Sequence, residues 1–464
     1  MENNTQLKEM IRSMVIDVLQ GQKQDIASSR PVKQVSRNQG EPGVFDTVDE
    51  AIRAAKEAQL RFEDCTLATR EKVIADIRAA MRPRVQELAQ KTVEETGMGR
   101  VADKVLKLNL TLDKTPGVED LITECETGDN GMTLYELSAY GVIGAITPST
   151  NPAETLICNS IGMLAAGNAI FFSVHPGAKN LSRELVSELN QVIAKSIGIE
   201  NLIVTLREPS IESAQEMMLH PDVSLLVVTG GPGVVKQALQ SGKKVIGAGA
   251  GNPPAFVDET ADIKKAAQDI VLGASLDNNI LCIAEKSVVA MRQIEPQLVQ
   301  EMVKAGCVLV DNQQDIQRLV ELTVLPNGTP NKQFVGKNAS VILDAAHISY
   351  NGDPRLIIMR TPKDHPFAVI EMLMPILPVV TVDSFDEGLD VCLKLEAGLH
   401  HTATMHSLNM ERLNHMARKM KTSIFVKNGP SYAGLGFSGE GTTTFTIATP
   451  TGESTTSARC FARR

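Results

Sequence analysis

The sequence predicts an α/β protein with two consecutive α/β domains, each built on a parallel sheet that helices cover on both faces. From residue 141 onward, short apolar runs ending in Gly or Pro alternate with helical stretches, which is the pattern of βαβ units. With 464 residues, 43% of them hydrophobic, the chain is long enough to bury a large core without disulfides or metal. At about 150 residues per domain, this length allows roughly three units.

The alternation of apolar runs and helical stretches predicts the strands and helices in chain order. Four apolar runs predict the strands of a first series at 141–147, 169–174, 224–231 and 243–249, and the intervening stretches predict helices at 153–166, 178–196, 211–219 and 233–241. In a second series, a helix is expected over 261–274 and strands over 287–291, 367–371, 378–382 and 423–428. The tail over 439–464, rich in Gly, Thr and Ser, is expected to form edge strands that pair with a neighbour.

The N-terminal region has a different pattern. Residues 5–19 predict an amphipathic helix, because seven apolar residues recur at three- and four-residue steps. Residues 21–43 are polar and predict a flexible linker. A tethered helix has no local surface for its apolar stripe, so it docks either in a partner's groove or on its own body or a sister subunit. The pattern alone favours neither.

Composition excludes several classes of protein. A net charge of −9 argues against a broad nucleic-acid surface, and no apolar run approaches the roughly 20 residues that span a bilayer. The first ten residues lack the pattern of a secretory signal. Seven dispersed cysteines without a CxxC pair indicate a reducing cytoplasm. His365 and the HHTATMH segment (400–406) lack carboxylates in a ligand pattern, so these histidines are interpreted as structural or substrate-lining and no metal site is predicted.

Three loops follow predicted strands of the first series: TPSTNP (147–152), SVHPGAK (173–179) and TGGPGVV (229–235). Open parallel sheets bind ligands beyond the carboxyl ends of their strands, so these loops predict a ligand site at one sheet edge. In 229–235, glycines between a strand and a helix allow backbone N–H groups to face a phosphate. A tight turn without a ligand has the same sequence, so this motif alone is weak.

Cys282 is the candidate nucleophile. It lies in a loop before a strand and follows the polar residues Asp277, Asn278 and Asn279. A free thiol has a pKa of about 8.5 and only the thiolate attacks, so helix ends or backbone donors must assist it. Most cysteines are inert, small buried hydrophobes. For Cys282, the surrounding sequence has to outweigh that interpretation.

Asn151 is the candidate oxyanion donor. A thiolate that attacks a carbonyl carbon forms a tetrahedral oxyanion, which the Asn151 amide and the backbone N–H of Cys282 would stabilise. The alternative is a turn-forming Asn before Pro, which is common.

These motifs, taken together, resemble the aldehyde dehydrogenase superfamily, and specifically its CoA-acylating branch found in bacterial microcompartments. The resemblance runs from about residue 44 to the end and includes ETGMG (95–99), AAGNAI (165–170), KKVIGAGAGNPP (243–254), DNNILCIAEK (277–286), TSIFVKNGPSYAGLG (422–436) and TIATPTGE (446–453). It implies two Rossmann-like three-layer α/β/α domains plus a small oligomerisation β extension. It also implies oxidation of a short aldehyde, propanal first and acetaldehyde next, with NAD as cofactor and coenzyme A as co-substrate.

The resemblance also implies roles for individual residues. Cys282 matches the catalytic cysteine and Asn151 the oxyanion asparagine. His175 and Pro176 match the adenosine-ribose position, and Glu371 matches the glutamate that holds the nicotinamide ribose. The complete set of positions that the resemblance assigns to cofactor binding is Thr147, Pro148, Ser149, Thr150, His175, Pro176, Thr229, Gly230, Gly231, Pro232, Gly233, Val234, Gly249, Glu371 and Leu373.

Three departures from the family pattern bear on chemistry. Hydrolytic relatives place a glutamate base where this chain has Gly247, so water is expected to be poorly activated and a CoA thiol to accept the acyl group. In relatives an acidic residue often follows the pair that corresponds to His175 and Pro176, whereas this chain has Ala178 there, with Lys179 beside it. This replacement weakens the expectation that the site rejects the 2′-phosphate of NADP. Ser454 replaces a usual Gly, and relatives tend to continue further than Arg464.

The resemblance implies an organisation as well: an encapsulation helix that docks on a shell protein, a linker, a dinucleotide-binding domain with an oligomerisation hairpin near 117–140, a catalytic domain, and a C-terminal return with an oligomerisation segment. The corresponding bounds are 1–20, 21–43, 44–250, 251–428 and 429–464. A homodimer or homotetramer in the cytoplasm, inside a bacterial microcompartment, is expected. The alternatives are a non-acylating aldehyde dehydrogenase and a catalytically idle cargo or scaffold protein.

Overall fold

The computed structural model describes residues 41–464. The helix expected over 5–19 and all but the last three residues of the expected linker lie outside that range. The strands are β1 (Val44–Phe45), β2 (Glu124–Gly128), β3 (Gly131–Tyr135), β4 (Ser138–Ala139), β5 (Val142–Ile146), β6 (Ala169–Ser173), β7 (Ile203–Leu206), β8 (Val223–Thr229), β9 (Lys244–Ala248), β10 (Pro254–Val257), β11 (Ser287–Met291), β12 (Cys307–Leu309), β13 (Leu356–Arg360), β14 (Ile376–Val382), β15 (Thr402–His406), β16 (Ile424–Lys427), β17 (Ile447–Ala448), β18 (Ser454–Thr455) and β19 (Ala462–Arg463).

The α-helices alternate with these strands. They are α1 (Val48–Glu63), α2 (Leu67–Met81), α3 (Val85–Thr96), α4 (Val101–Lys114), α5 (Pro152–Ala165), α6 (Lys179–Ile197), α7 (Ile211–Leu219), α8 (Pro232–Leu239), α9 (Ile263–Ser275), α10 (Glu295–Lys304), α11 (Gln313–Thr323), α12 (Ala339–Ala345), α13 (Pro366–Val369), α14 (Phe385–Glu396) and α15 (Met410–Met420). Polar side chains cap many of them: Thr47 accepts a hydrogen bond from the Glu50 backbone N–H at the start of α1, for example. None of the described helices is long and apolar enough to cross a bilayer.

Two parallel sheets form the body. The first has the order β1-β7-β6-β5-β8-β9 and the second has the order β12-β13-β14-β11-β10-β15-β16. Every pair within them is parallel. The first sheet is buried against helices in one hydrophobic cluster, and the second sheet contributes to two further clusters. The α/β class and the parallel sheets predicted from the alternating pattern are confirmed.

Most predicted elements lie within two residues of the observed bounds, but one is wrong. The run 367–371 is not a strand: residues 366–369 form the short helix α13. Pro366 occupies its first turn, and His365 accepts a hydrogen bond from the Phe367 backbone N–H at 3.3 Å. The fixed φ of proline and the capping imidazole favour a helical turn over an extended chain. The strands β1, β7, β10, β12 and β15 lie outside the predicted set, because they are short or, as in β15, rich in Thr. The apolar strand β13 also lies outside it, although it is as long as β5.

Small antiparallel elements extend from the sheets. The hairpin β2–β3 is exposed along almost its whole length, including the apolar side chains Met132 and Leu134. In the C-terminal segment, β17 pairs with β18 and β19 pairs with β4, so the described tail strands pair within their own chain. The oligomerisation role of the hairpin and the domain bounds at 250 and 428 stay predictions.

Candidate active site

The carboxyl edge of the first sheet brings the three predicted loops side by side. Strands β6, β5, β8 and β9 are neighbours, and their last residues are in register: Ile146 pairs with Ser173 and with Val228, and Thr229 pairs with Ala248. Loops 147–152, 173–179 and 229–235 therefore leave adjacent strands. Gly249 follows β9 at the same edge. The predicted cofactor residues outside 371–373 lie along this edge.

The turn after β8 leaves its backbone accessible. Gly231 is the N-cap of α8 and Pro232 occupies the first turn. A methyl group added at Gly231 or Gly233 would meet no described heavy atom within 4 Å. The first N–H groups of a helix have no intrahelical partner, so they can bind an anionic group that approaches from this open side.

The amino edge of the second sheet positions Cys282, the candidate nucleophile. Strands β14, β11, β10 and β15 are neighbours, and the segments that lead into them bring Glu371, Cys282, Gly251 and His401 together. The Gly251 backbone N–H donates to Glu371 Oε1 at 3.2 Å. A methyl group on Gly251 would lie 2.6 Å from the Cys282 carbonyl oxygen and 2.8 Å from Cγ of His401. Only glycine leaves room for this close approach.

Burial and hydrogen bonds hold the loop that leads to Cys282 in a fixed conformation. Asp277, Asn278 and Asn279 are buried and have φ values of 51°, 55° and 66°, the left-handed region that non-glycine residues rarely adopt. The ammonium of Lys286 donates to the carbonyl oxygens of Asn279, at 2.8 Å, and Leu281, at 2.9 Å. Strained conformations of this kind persist only where neighbours over-determine them, and they cluster at functional sites.

The surroundings of Cys282 keep its half-buried thiol protonated. Burial and the Glu371 carboxylate raise the pKa of the thiol to about 12, while the Lys286 ammonium and the backbone N–H groups of Cys282 and Ile283 act in the opposite direction. Forming the thiolate here requires a nearby proton acceptor or a cation that binds beside it.

Two further carboxylates at the site have raised pKa values. Burial raises the pKa of Glu371 to about 6, with Lys286 and the Gly251 N–H lowering it. Burial also raises the pKa of Glu285 to about 7, although Ser431 donates to both its oxygens at 2.8 Å. Leu373, the other cofactor residue predicted here, has a φ of 54° and accepts a hydrogen bond from the Gly336 N–H at 3.0 Å.

His401 joins the site although its sequence context favoured only a structural or substrate-lining role. Its Nδ1 pairs with Thr402 Oγ1 at 2.9 Å, and within the described chain its buried Nε2 has no partner. Burial, with the charge of Lys286, lowers the pKa of His401 to about 4, so the ring is neutral at pH 7. A neutral imidazole with an unpaired nitrogen can accept a proton. No sequence pattern shows that β15 lies beside β10, which is what brings this ring to Cys282.

Asn151 lies at the N-cap of α5, but its side chain makes no capping hydrogen bond. Its Oδ1 instead accepts a hydrogen bond from Lys107 of α4, and its Nδ2 donates to Thr150 Oγ1 at 3.3 Å. The interpretation as a mere turn residue before Pro does not explain this contact. Lys107 is a second residue that the sequence analysis did not single out, because no motif in the sequence marks a lysine of α4 as a partner of Asn151.

Residues 19–448 match the aldehyde dehydrogenase family. The chain belongs to that family. It is 51% identical to a propanal dehydrogenase (CoA-propanoylating) of Salmonella typhimurium, across 99% of this chain and 97% of the relative.

Solved structures of aldehyde dehydrogenases agree with this assignment. The propionaldehyde dehydrogenase of Rhodopseudomonas palustris, with bound CoA and an acylated cysteine, is 49% identical, with a TM-score of 0.89 over 91% of this chain and 96% of that one. A propionaldehyde dehydrogenase from the fucose utilisation bacterial microcompartment of Clostridium phytofermentans is 47% identical, with a TM-score of 0.89 over 91% of this chain and 97% of that one.

Gly247 is the residue that the sequence analysis assigns to the position of the glutamate base of hydrolytic aldehyde dehydrogenases, and this assignment stays a prediction. It lies in β9, and a methyl group there would be 2.9 Å from Cγ1 of Val235 and 3.5 Å from Cγ2 of Thr451. The Gly247 N–H also donates to Thr451 Oγ1 at 3.0 Å. The C-terminal TPTGE segment thus packs against the position that the Cβ atom of a glutamate at residue 247 would occupy.

Proposed function

We propose that this protein oxidises a short-chain aldehyde, propanal first and acetaldehyde next, and transfers the acyl group from a Cys282 thioester to coenzyme A with reduction of NAD. The observation that supports the acyl transfer is the packing of Val235 and Thr451 around Gly247. Without a carboxylate there, water is poorly activated toward the thioester. A thiol is a stronger nucleophile and takes the acyl group instead.

The residues divide the chemistry between two steps. In the first, the Cys282 thiol releases its proton to solvent, its sulfur bonds to the aldehyde carbon, and the Asn151 amide and the Cys282 backbone N–H stabilise the oxyanion. NAD, when held along the carboxyl edge of the first sheet, would accept the hydride that the substrate carbon loses as the adduct is oxidised to a thioester. In the second, the sulfur of CoA bonds to the acyl carbon and the Cys282 sulfur leaves. His401, neutral and with Nε2 unpaired, is placed to accept the thiol proton.

The site favours a small apolar substrate. Cys282 packs against a hydrophobic cluster that includes Cys158, Leu281, Phe445 and Ile447. These side chains offer an aldehyde apolar contact and few polar partners. Burial of an extra methylene is worth about 1–3 kcal/mol, so propanal is expected to exceed acetaldehyde in kcat/KM by about tenfold.

The adenosine end of the site favours NAD over NADP. Lys179, which could have met a 2′-phosphate, forms an ion pair with Glu208 at 2.5 Å. Glu208 follows β7, the neighbour of β6, so the pair lies at the same sheet edge as His175 and Pro176. A carboxylate at this position repels a phosphate and can accept from ribose hydroxyls.

Omitting CoA tests the proposed function. With propanal and NAD alone, one NADH per active site is expected in a burst, followed by near arrest, because the thioester is not released to water. Adding CoA should restore steady turnover and yield propanoyl-CoA, identified by mass. Turnover at full rate without CoA would establish a non-acylating aldehyde dehydrogenase instead.

The proposal extends to location and assembly. We place the protein inside a bacterial microcompartment, with residues 5–19 docked on a shell protein, and as a homodimer or homotetramer through the exposed β2–β3 hairpin. One solved relative comes from such a compartment.

Deleting residues 1–20 should leave the activity of the purified enzyme intact and abolish co-localisation with the shell. Lost activity, or retained co-localisation, would contradict the shell assignment.

A further inference from the structure

Four buried charges lie between α4 and the loop that leads to Cys282. Lys104 Nζ and Lys107 Nζ are 2.8 Å and 2.5 Å from Asp277 Oδ2, and Lys107 Nζ is 3.0 Å from Glu154 Oε1. All four side chains are at most 1% exposed. Replacing such a cluster with apolar residues is often neutral or stabilising, so stability alone is a weak reason for its presence.

Lys107 gives the cluster a connection to the reaction. It donates to Asn151 Oδ1, and an ammonium can only donate. Turning the amide over would place the Asn151 NH₂ group against that ammonium. The contact therefore fixes the amide oxygen toward Lys107 and leaves the amide nitrogen as the end that can donate to an oxyanion.

Asp277 connects the same lysine to the nucleophile's loop. Its Oδ1 accepts the Arg100 backbone N–H at 2.8 Å, and its Oδ2 accepts the two lysines. The left-handed backbone of 277–279 begins at this residue, five positions before Cys282. One carboxylate thus anchors both the loop of the nucleophile and the lysine that orients the oxyanion donor.

Electrostatics support a charged Lys107. Burial lowers the pKa of its ammonium, but the carboxylates of Asp277 and Glu154 raise it further, and the net direction is upward. For Lys104, burial and the neighbouring Lys107 charge lower the pKa. The neighbouring carboxylates therefore stabilise the charged form of the ammonium that donates to the Asn151 amide.

We propose that Lys107 is a positioning residue that orients the Asn151 amide toward the substrate oxyanion and couples it, through Asp277, to the Cys282 loop. This inference rests on the proposed function, since it takes Asn151 as the oxyanion donor. Lys107 itself touches no reacting atom.

The test uses the double variant Lys107→Met with Glu154→Gln. It removes one positive and one negative charge together, so Lys104 and Asp277 remain as a neutral pair and the protein is expected to fold. Removing an oxyanion donor costs about 10²–10³ in kcat, and a misoriented donor is expected to cost about 30-fold or more. The KM for CoA should change by less than about threefold.

A matched control is Lys243→Met. Lys243 donates to the carbonyl oxygens of His220 and Val223 at 2.9 Å and 2.8 Å, at the opposite, amino edge of the first sheet. This variant removes equivalent lysine hydrogen bonds and should lower the melting temperature while leaving kcat within about twofold. The control distinguishes a fall in kcat caused by lower stability from a fall caused by a misoriented Asn151 amide.

A double-mutant cycle with Asn151→Ala decides the mechanism. If Lys107 acts through Asn151, adding Lys107→Met and Glu154→Gln to the Asn151→Ala variant should lower kcat by less than about threefold more. An additive loss, or a kcat within threefold of wild type in the Lys107→Met, Glu154→Gln variant alone, would overturn the inference. Wild-type activity of Asn151→Ala would overturn it through the oxyanion assignment, whereas CoA-dependent thioester formation would still stand.

Discussion

Cys282→Ala is expected to lower NADH formation from propanal, NAD and CoA by more than about 10⁴-fold while the protein stays folded. The substitution removes the sulfur that bonds to the substrate carbon, and in this structure no neighbouring side chain is placed to replace it within the braced loop 276–286. The measurement is steady-state NADH absorbance together with a melting curve. Cys125→Ala, which alters an exposed thiol on the β2–β3 hairpin, is the matched control and should retain activity within about twofold.

Mass spectrometry gives an independent measurement of the same step. Wild-type enzyme mixed with propanal and NAD should gain a propanoyl mass on the peptide that spans residues 277–286, and the variant should not. Because burial and Glu371 raise the pKa of the Cys282 thiol to about 12, the adduct should form faster as pH rises from 6 to 9. An adduct on another peptide would refute the assignment of the nucleophile, and equal inactivity of wild type and variant would favour the scaffold interpretation.

The sequence pattern was sufficient for the α/β class and for the loops after β5, β6 and β8. These predictions depend on local periodicity and on a general rule about sheet edges. The strand predicted at 367–371 is wrong for a local reason as well: Pro366, which follows the capping His365, favours a helical turn over the extended chain that the apolar run predicts. The short strand β7 and the Thr-rich strand β15 have too little periodicity to be recognised.

Only part of the candidate site could be predicted from the sequence, and the reason differs from that for the strands. Cys282 and Asn151 lie in recognisable motifs, but what surrounds them depends on strand order. His401 reaches Cys282 because β15 pairs with β10, and Lys107 reaches Asn151 because α4 packs against α5. Neither neighbour follows from spacing along the chain. Contacts between residues more than 40 positions apart require the three-dimensional structure.

Gly251→Ala is the second change with a large expected effect, and its cause is purely steric. The new methyl group would lie 2.6 Å from the Cys282 carbonyl oxygen and 2.8 Å from Cγ of His401, distances at which something must move. The imidazole can rotate, but the carbonyl belongs to the Cys282 loop, which buried hydrogen bonds hold in place. Since a displacement of about 1 Å can cost 10²-fold in rate, kcat is expected to fall by about 10²-fold or more.

The same substitution should also weaken cofactor binding, because the Gly251 N–H that donates to Glu371 would move with the backbone. A raised KM for NAD together with a lowered kcat is therefore expected in steady-state kinetics. Gly429→Ala, whose methyl would meet its nearest described atom on Val426 at an ordinary 3.4 Å, is the control. If Gly251→Ala kept kcat within threefold of wild type, the close contact between this backbone and the Cys282 loop would not be what positions the sulfur.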